Sequence, residues 1–282
     1  MMRVPTTPER ALRSASRLLG RELELLEIFT AGQHALTFLA ADGDSEVVVR
    51  TFPPGDDAVA RELAALERIA ALGPQVPHLI AASADAEEPL IVTTRVAGST
   101  PDPAADLVDV AQQMAAALTA IHELDGNGLP QAPLTPHTGD SAIARRAQQA
   151  FGQLDLSDRV LSHGDFWIGN ALWVRDEITE ASRLTGVVDW SGAKHAPRGF
   201  DLAWCRQDLV LLGSPAAADS FLAEYEARLG SPISDINDWD VQAAASAADR
   251  VETWLPNYHG IGLTDMTAKD LRHRLDEWNA SL

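Results

Sequence analysis

Residues 163–170 read His163-Gly164-Asp165-Phe166-Trp167-Ile168-Gly169-Asn170, and an apolar run, Leu184-Thr185-Gly186-Val187-Val188, later closes on Asp189. No other stretch constrains the chain as strongly. A loop that pins Asp165 and Asn170 a few residues apart lets one side chain face a reacting hydroxyl and the other a metal ion. Asn170 and Asp189 are hard oxygen donors, which suit Mg²⁺ held partly by nucleotide phosphates. Asp165 is the carboxylate for a reaction that otherwise needs only positioning and neutralisation of charge. Asp, Asn and Gly are also ordinary turn residues. The second Asp at the end of an apolar strand is what lifts the pattern above a turn.

Bulk properties narrow the partners. A net charge of −19 disfavours nucleic acid and anionic membrane, because both demand the opposite field. A cationic small molecule would be steered favourably, but the acidity is spread over the whole chain and reads first as solubility. No stretch approaches the apolar length of a membrane span, and Met1-Met2-Arg3-Val4-Pro5 lacks a signal core. The single cysteine, Cys205, excludes an intrachain disulfide and argues against a thiolate metal site. A cytoplasmic protein is the expectation. Oligomeric state is not legible.

The order of elements is equally informative. After a short helix over 9–19, strands are expected at Glu24–Phe29, Leu36–Ala40 and Val47–Thr51, with Asp42-Gly43-Asp44 as a hairpin turn. A helix follows over 56–72, where Val59, Leu63, Leu66 and Ile69 recur at helical spacing. Two more strands lie near His78–Ser83 and Pro89–Thr94. The connector Ala97-Gly98-Ser99-Thr100-Pro101-Asp102-Pro103 then leads into helices at 105–124, 140–154, 200–212, 216–229, 238–258 and 266–280. Short strands around 171–174 and 184–189 interrupt them. Two lobes are expected, residues 1–97 and 98–282.

Strand, strand, strand, helix, strand, strand is the order of a kinase N-lobe, which needs a strand cation and a helix carboxylate to aim it. Alternation along Val47-Val48-Val49-Arg50 puts Val48 and Arg50 on one face, so Arg50 is the candidate cation. Glu62 is the best-placed acid on the following helix. Arg keeps the charge of the usual Lys but grips two oxygens at once. Gly32 lies where a loop would cover phosphates, although no full G-x-G-x-x-G is present. Thr94 and Val96, entering the connector, are placed to read an adenine edge through their backbone.

The kinase pattern H-R-D-x-x-x-x-N has Arg where this chain has Gly164, and Phe-Gly where this chain has Trp190-Ser191. His163-Gly164-Asp165 with Asn170, Gly186-Val187-Val188-Asp189-Trp190 and Phe200-Asp201-Leu202-Ala203 together resemble the aminoglycoside phosphotransferase family. That group of small-molecule kinases also includes choline, homoserine and macrolide kinase relatives. The resemblance runs from about residue 24 to 212. It implies an α+β, bilobal protein-kinase-like fold: an N-lobe of five antiparallel strands plus a helix, and a mainly helical C-lobe. It further implies Asp165 as base, Asn170 and Asp189 as Mg²⁺ ligands, and Arg50 with Glu62 as the pair that orients the phosphates of ATP or GTP. Arg at the strand position is similar to the macrolide kinase branch more than to aminoglycoside enzymes with Lys. His163 and Asp201 are expected to hold the catalytic loop.

Only the eleven residues 190–200 separate Asp189 from Asp201, too few for a peptide-docking activation segment. The expected acceptor is therefore a hydroxyl of a small molecule: an aminoglycoside- or macrolide-type antibiotic, or a related metabolite. A metabolic kinase of an amino alcohol or sugar fits the same residues, and a catalytically silent nucleotide-binding protein is the reading from another class. Asp140, Asp208, Asp249, Glu252, Trp254 and Tyr258 read as solvated or core positions and are not assigned to the site.

Overall fold

Thr7 and Pro8 start the first helix: the Thr7 hydroxyl accepts the Arg10 N–H, and Pro8 occupies a first-turn position where its missing N–H costs nothing. The structure is a computed structural model, and it describes residues 7–29, 35–85, 87–176 and 181–282. Gly32 lies outside the described residues. The chain divides into two units, Met1–Ala97 with Gly186–Ser191, and Gly98–Thr185 with Gly192–Leu282.

In the first unit, α1 (Pro8–Leu19) ends on Gly20 in the left-handed region, a standard helix stop. Strands β1 (Glu24–Phe29), β2 (Leu36–Asp42), β3 (Ser45–Thr51), β4 (Leu79–Ser83) and β5 (Leu90–Thr94) form one antiparallel sheet in the order β1-β2-β3-β5-β4. Asp42 pairs with Ser45, so the β2–β3 hairpin closes in two residues, with Gly43 at φ +61°. The pairs Phe38–Val49 and Val49–Val92 put large apolar side chains in line on one face. That face, with Ala40, Val47 and Leu90, packs against Ala11 and Ala15 of α1. Arg50, one residue on from Val49, falls on the opposite face. There α2 (Ala58–Ile69) brings Glu62 to it.

The second unit is mainly helical. Its elements are α3 (Leu107–His122), α4 (Ala142–Ala150), β6 (Arg159–Ser162), β7 (Ala171–Arg175), β8 (Ser182–Val187, whose last two residues belong to the first unit), β9 (Lys194–Pro197), α5 (Gly199–Leu211), α6 (Pro215–Leu229), α7 (Ile236–Ala247), α8 (Leu255–Gly260) and α9 (Ala268–Ser281). Asp106 and Ser141 cap α3 and α4 by accepting the N–H groups of Val108 and Ala144. Helix α5 packs against α6, α7 and α9 and is buried on nearly every side. Its buried charged side chains are paired: Arg206, for example, donates to Asp240 at 3.1 Å and to the Ala218 carbonyl at 2.7 Å.

Three sequence expectations change. The helix expected over 238–258 is two helices, because Arg250 leaves helical geometry (φ −146°, ψ 0°) and Pro256 cannot extend a hydrogen-bond ladder backwards. Strands β6 and β9, paired antiparallel with Ser162 opposite Lys194, were not expected at all. Four residues each are too few to show a period. Finally, the strand expected to reach Asp189 stops at Val187. No helix among the described residues is long and apolar enough to cross a membrane.

Candidate active site

Strand β6 delivers Ser162 to the start of the 163–170 loop, and the N-terminal turn of α5 delivers Asp201 beneath it. The Asp201 carboxylate accepts the His163 N–H (2.7 Å), the Gly164 N–H (2.9 Å), the Ser162 hydroxyl (2.9 Å) and His122 Nε2 (3.2 Å). Burial would raise this carboxyl; the His122 hydrogen bond, helped by the loop N–H groups, holds it below the ordinary carboxylate range. Burial pushes His122 down, towards the neutral imidazole. Its Nε2–H then donates to Asp201 and its Nδ1 accepts from the Tyr225 hydroxyl at 2.7 Å. Tyr225 in turn accepts from Arg198 at 2.6 Å. A polar chain from Arg198 to Asp201 thus ends on the loop backbone.

The middle of the loop shows why glycine stands at 164. Gly164 has φ +80°, and a Cβ there would lie 2.1 Å from the Gly192 carbonyl oxygen and 2.6 Å from Lys194 Cε. His163, fully buried, accepts the Asp165 N–H on Nδ1 at 3.3 Å, so its ring props the loop. Asn170 donates its amide to the Asp165 carbonyl (2.8 Å) and to the Asp165 carboxylate (3.1 Å). That leaves the Asn170 carbonyl oxygen as the acceptor end of the side chain.

Asp208 anchors the loop's other end. It lies seven residues after Asp201, on the same face of α5. One of its oxygens accepts the Ile168 N–H at 3.1 Å, the other the Tyr258 hydroxyl at 2.9 Å. Tyr258 meets the Trp167 ring edge-on at 5.8 Å, and one turn earlier Trp254 meets Trp204 at 5.5 Å. Trp204 shares the Asp201–Asp208 face. An aromatic flank of Trp167, Trp204 and Trp254, all partly exposed, therefore borders the loop. Asp208 and Tyr258 are core contacts, as read from sequence, but they are contacts that position the loop.

Burial raises Asp208 to about 7. A carboxyl whose folded value exceeds its unfolded one binds more protons when folded, between roughly pH 4 and pH 7. Its stabilising contribution is complete below that window and disappears as pH rises through 7. Glu62, also raised to about 7 chiefly by burial, adds the same sign. Unfolding stability should therefore fall between about pH 4 and pH 7, and Asp208→Asn should flatten the slope. Urea titrations at several pH values check this, and an unchanged slope in the variant would refute it.

Within the first unit, Arg50 bridges two acids. Its Nη1 reaches Glu62 at 2.5 Å and its Nη2 reaches Asp189 at 2.8 Å. Burial would lower Arg50, but the two carboxylates outweigh it and the guanidinium is held charged. Asp189 also accepts the Ser191 hydroxyl at 2.8 Å and has φ +63°, alone among the described residues other than glycine. Left-handed backbone at Asp costs energy and persists where its surroundings over-determine it. Arg50, Ser191 and the Trp190 indole, which donates to the Val187 carbonyl at 3.1 Å, do so here. The second Glu62 oxygen, Oε2, is buried and has no hydrogen-bond partner among the described residues. Lysine cannot span both acids. Arg50→Lys should cost about 1–2 kcal/mol through the lost bond to one of them; an unchanged urea midpoint would contradict this.

Thr94 donates its N–H to the His78 carbonyl at 2.9 Å and accepts the His78 N–H on its hydroxyl at 2.9 Å. Val96 is buried. Among the described residues no group of three or more His, Cys, Asp and Glu side chains is arranged to hold a metal. Mg²⁺ needs no such cage when phosphates and water complete its shell. Each unit by itself offers an oxygen donor of the kind Mg²⁺ takes: in the second the side-chain carbonyl of Asn170, in the first the Asp189 carboxylate, 39% exposed.

Comparison with known proteins bears on the family and the fold. The model of the phosphotransferase enzyme family (APH) matches residues 26–156 and 134–241. No curated protein sequence matches the chain. Macrolide 2'-phosphotransferase MphH from Brachybacterium faecium is 19% identical with TM-score 0.60, over 96% of this chain and 98% of that one. A thermostable mutant of aminoglycoside phosphotransferase APH(4)-Ia, in ternary complex with ADP and hygromycin B, is 17% identical with TM-score 0.59, over 95% and 97%. Choline kinase LicA from Streptococcus pneumoniae is 16% identical with TM-score 0.58, over 96% and 97%. At these identities the likeness establishes a shared protein-kinase-like fold. The family match spans residues 26–241, well over half of the 282, and the chain accordingly belongs to the phosphotransferase enzyme family.

Proposed function

We propose that the chain is an ATP- and Mg²⁺-dependent O-phosphotransferase that acts in the cytoplasm on a hydroxyl of a small molecule. The observation that carries this reading is the 163–170 loop, fixed at one end by Asp201 and at the other by Asp208, with Asp165 oriented by Asn170. Asp165 accepts the acceptor's hydroxyl proton late in the transfer, when the oxygen has become acidic through its bond to phosphorus. Arg50, aimed by Glu62, binds nucleotide phosphates. Thr94 and Val96 offer backbone groups to the adenine. Asn170 and Asp189 are the Mg²⁺ ligands, and the ion when bound neutralises charge on the phosphates. His163 and Asp201 act by holding the loop.

For the acceptor, the aromatic flank beside the loop offers ring surface to an antibiotic of the macrolide or aminoglycoside type, and such a reaction would confer resistance. The structural likeness to a choline kinase favours a second acceptor class, the amino alcohols. GTP in place of ATP fits the same backbone contacts. A screen of macrolides, aminoglycosides, amino alcohols and sugars with Mg-ATP, followed by mass spectrometry, tests the reading: one class should gain a phosphoryl group. Protein that binds Mg-ATP yet phosphorylates nothing in that panel would support a silent nucleotide-binding protein instead.

A further inference from the structure

Lys194 is one of only two lysines in the chain, and it opens β9 directly opposite Ser162, immediately before the His163-Gly164-Asp165 turn. Its ε-carbon would lie 2.6 Å from a Cβ on Gly164, so the end of the side chain rests on the residue next to Asp165. The ammonium sits over the Phe200 ring, 4.8 Å from its centroid. Among the described residues no carboxylate pairs with it. The anionic groups whose field it feels are Asp201, already taken by four donors, and Asp165.

A partly buried ammonium without a counter-ion is an unfavourable arrangement, and burial pulls Lys194 below its ordinary value. An aromatic face returns only about 0.5–2 kcal/mol. Structural needs do not account for it. Neither Gly164 nor Phe200 requires a charge, and Asp201 has its own donors. What the position lacks is an anion, and the reaction supplies one there. An acceptor hydroxyl bonded to Asp165 must have the transferring phosphorus on the same oxygen, so phosphoryl oxygens arrive within a few ångströms of the carboxylate. Two anions then face each other with Lys194 beside both.

We propose that Lys194 is a further catalytic residue whose ammonium binds the phosphoryl group as it moves to the hydroxyl held by Asp165. The assignment rests on the reading of Asp165 as base. In the step, the acceptor oxygen bonds to the γ-phosphorus and the bond from that phosphorus to the bridging oxygen of ADP breaks. The hydroxyl proton goes to Asp165, and Lys194 keeps its protons throughout. The ammonium offsets the repulsion between phosphoryl oxygens and carboxylate, and it does so most where the two are closest, in the transition state.

The test uses the full chain with Mg²⁺, ADP and aluminium fluoride, which with ADP mimics a phosphoryl group in transfer. Thermal stabilisation is measured with ADP alone and with both. Wild type should gain a further increment from the fluoride; K194M should show the ADP effect but lose the increment; K194R should regain much of it. Mg-ATP hydrolysis by K194M should fall about 10²-fold, as when one donor to a developing anion is removed. A full increment in K194M overturns the assignment, as does loss of the ADP effect and the increment together, which marks a structural role. Should K194M fail to fold, K194Q is read in the same way. Wild type that responds to ADP but not to the fluoride also overturns it, whereas wild type that responds to neither overturns the phosphotransferase reading itself.

Discussion

Asp165→Ala should lower phosphoryl transfer by about 10²–10⁴-fold, the range for removal of a positioned general base. Nucleotide affinity should stay within a few-fold of wild type, because the groups proposed to hold the nucleotide, Arg50, Thr94 and Val96, lie on other elements. The fold should survive as well. The loop backbone around Asp165 is held by Asp201 through the N–H groups of His163 and Gly164, and by Asp208 through that of Ile168. The Asp165 side chain is not buried, and its carboxylate accepts the Asn170 amide at 3.1 Å. Asp165→Asn separates the two properties, since an amide preserves size but cannot take the proton. Turnover, ATP affinity by calorimetry and the unfolding midpoint should be measured together. Retained turnover would remove Asp165 from the mechanism, and a joint loss of ATP affinity and stability would mean that its role is structural.

Asp201→Ala should be the most destabilising single change, by about 4 kcal/mol or more. Four donors converge on this fully buried carboxylate, and an orphaned buried donor costs about 1–3 kcal/mol. The costs do not simply add, since the loop can relax and water can enter the space. Yet even half their sum is a large share of the roughly 5–15 kcal/mol that holds a domain folded. Asp201→Asn should recover part of the loss, because an amide oxygen satisfies some of the donors while its NH₂ faces the others. Both variants should lose phosphoryl transfer beyond what stability explains, since Gly164 and Asp165 would no longer be held. Urea unfolding, with turnover measured well below the midpoint, checks this. A loss under about 1 kcal/mol for the Ala variant would show that the loop does not depend on the buried carboxylate.

Much of the fold was legible locally. Alternation in 45–51 and helical spacing in 58–69 are period signals, and with the short β-branched run at 90–94 they locate β3, α2 and β5 within a few residues. The same alternation turns Arg50 towards the side on which α2 presents Glu62, and the two do meet. Other features escaped for physical reasons. Strands β6 and β9 are stabilised by pairing with each other, which leaves no trace in four residues. The break before α8 depends on backbone angles at Arg250. Asp189 sits on a left-handed turn because Arg50 and Ser191 hold it there, and an apolar run ending in Asp does not announce that conformation.

The sequence by itself determined which chemistry is available. Hard oxygens at 165, 170 and 189, a strand cation at 50, and a short interval from 189 to 201 are matters of residue type and spacing, and these survive without any contact map. Only the tertiary structure decided which groups are spent on holding the loop. Asp201 and Asp208 are both buried acids on one helix, yet burial leaves the first ionised under four donors and raises the second to about 7. Lys194 likewise looked like one of two rare lysines. Its meaning comes from lying across Gly164 beside Asp165, because electrostatic roles follow distance and solvent exclusion, and sequence spacing encodes neither.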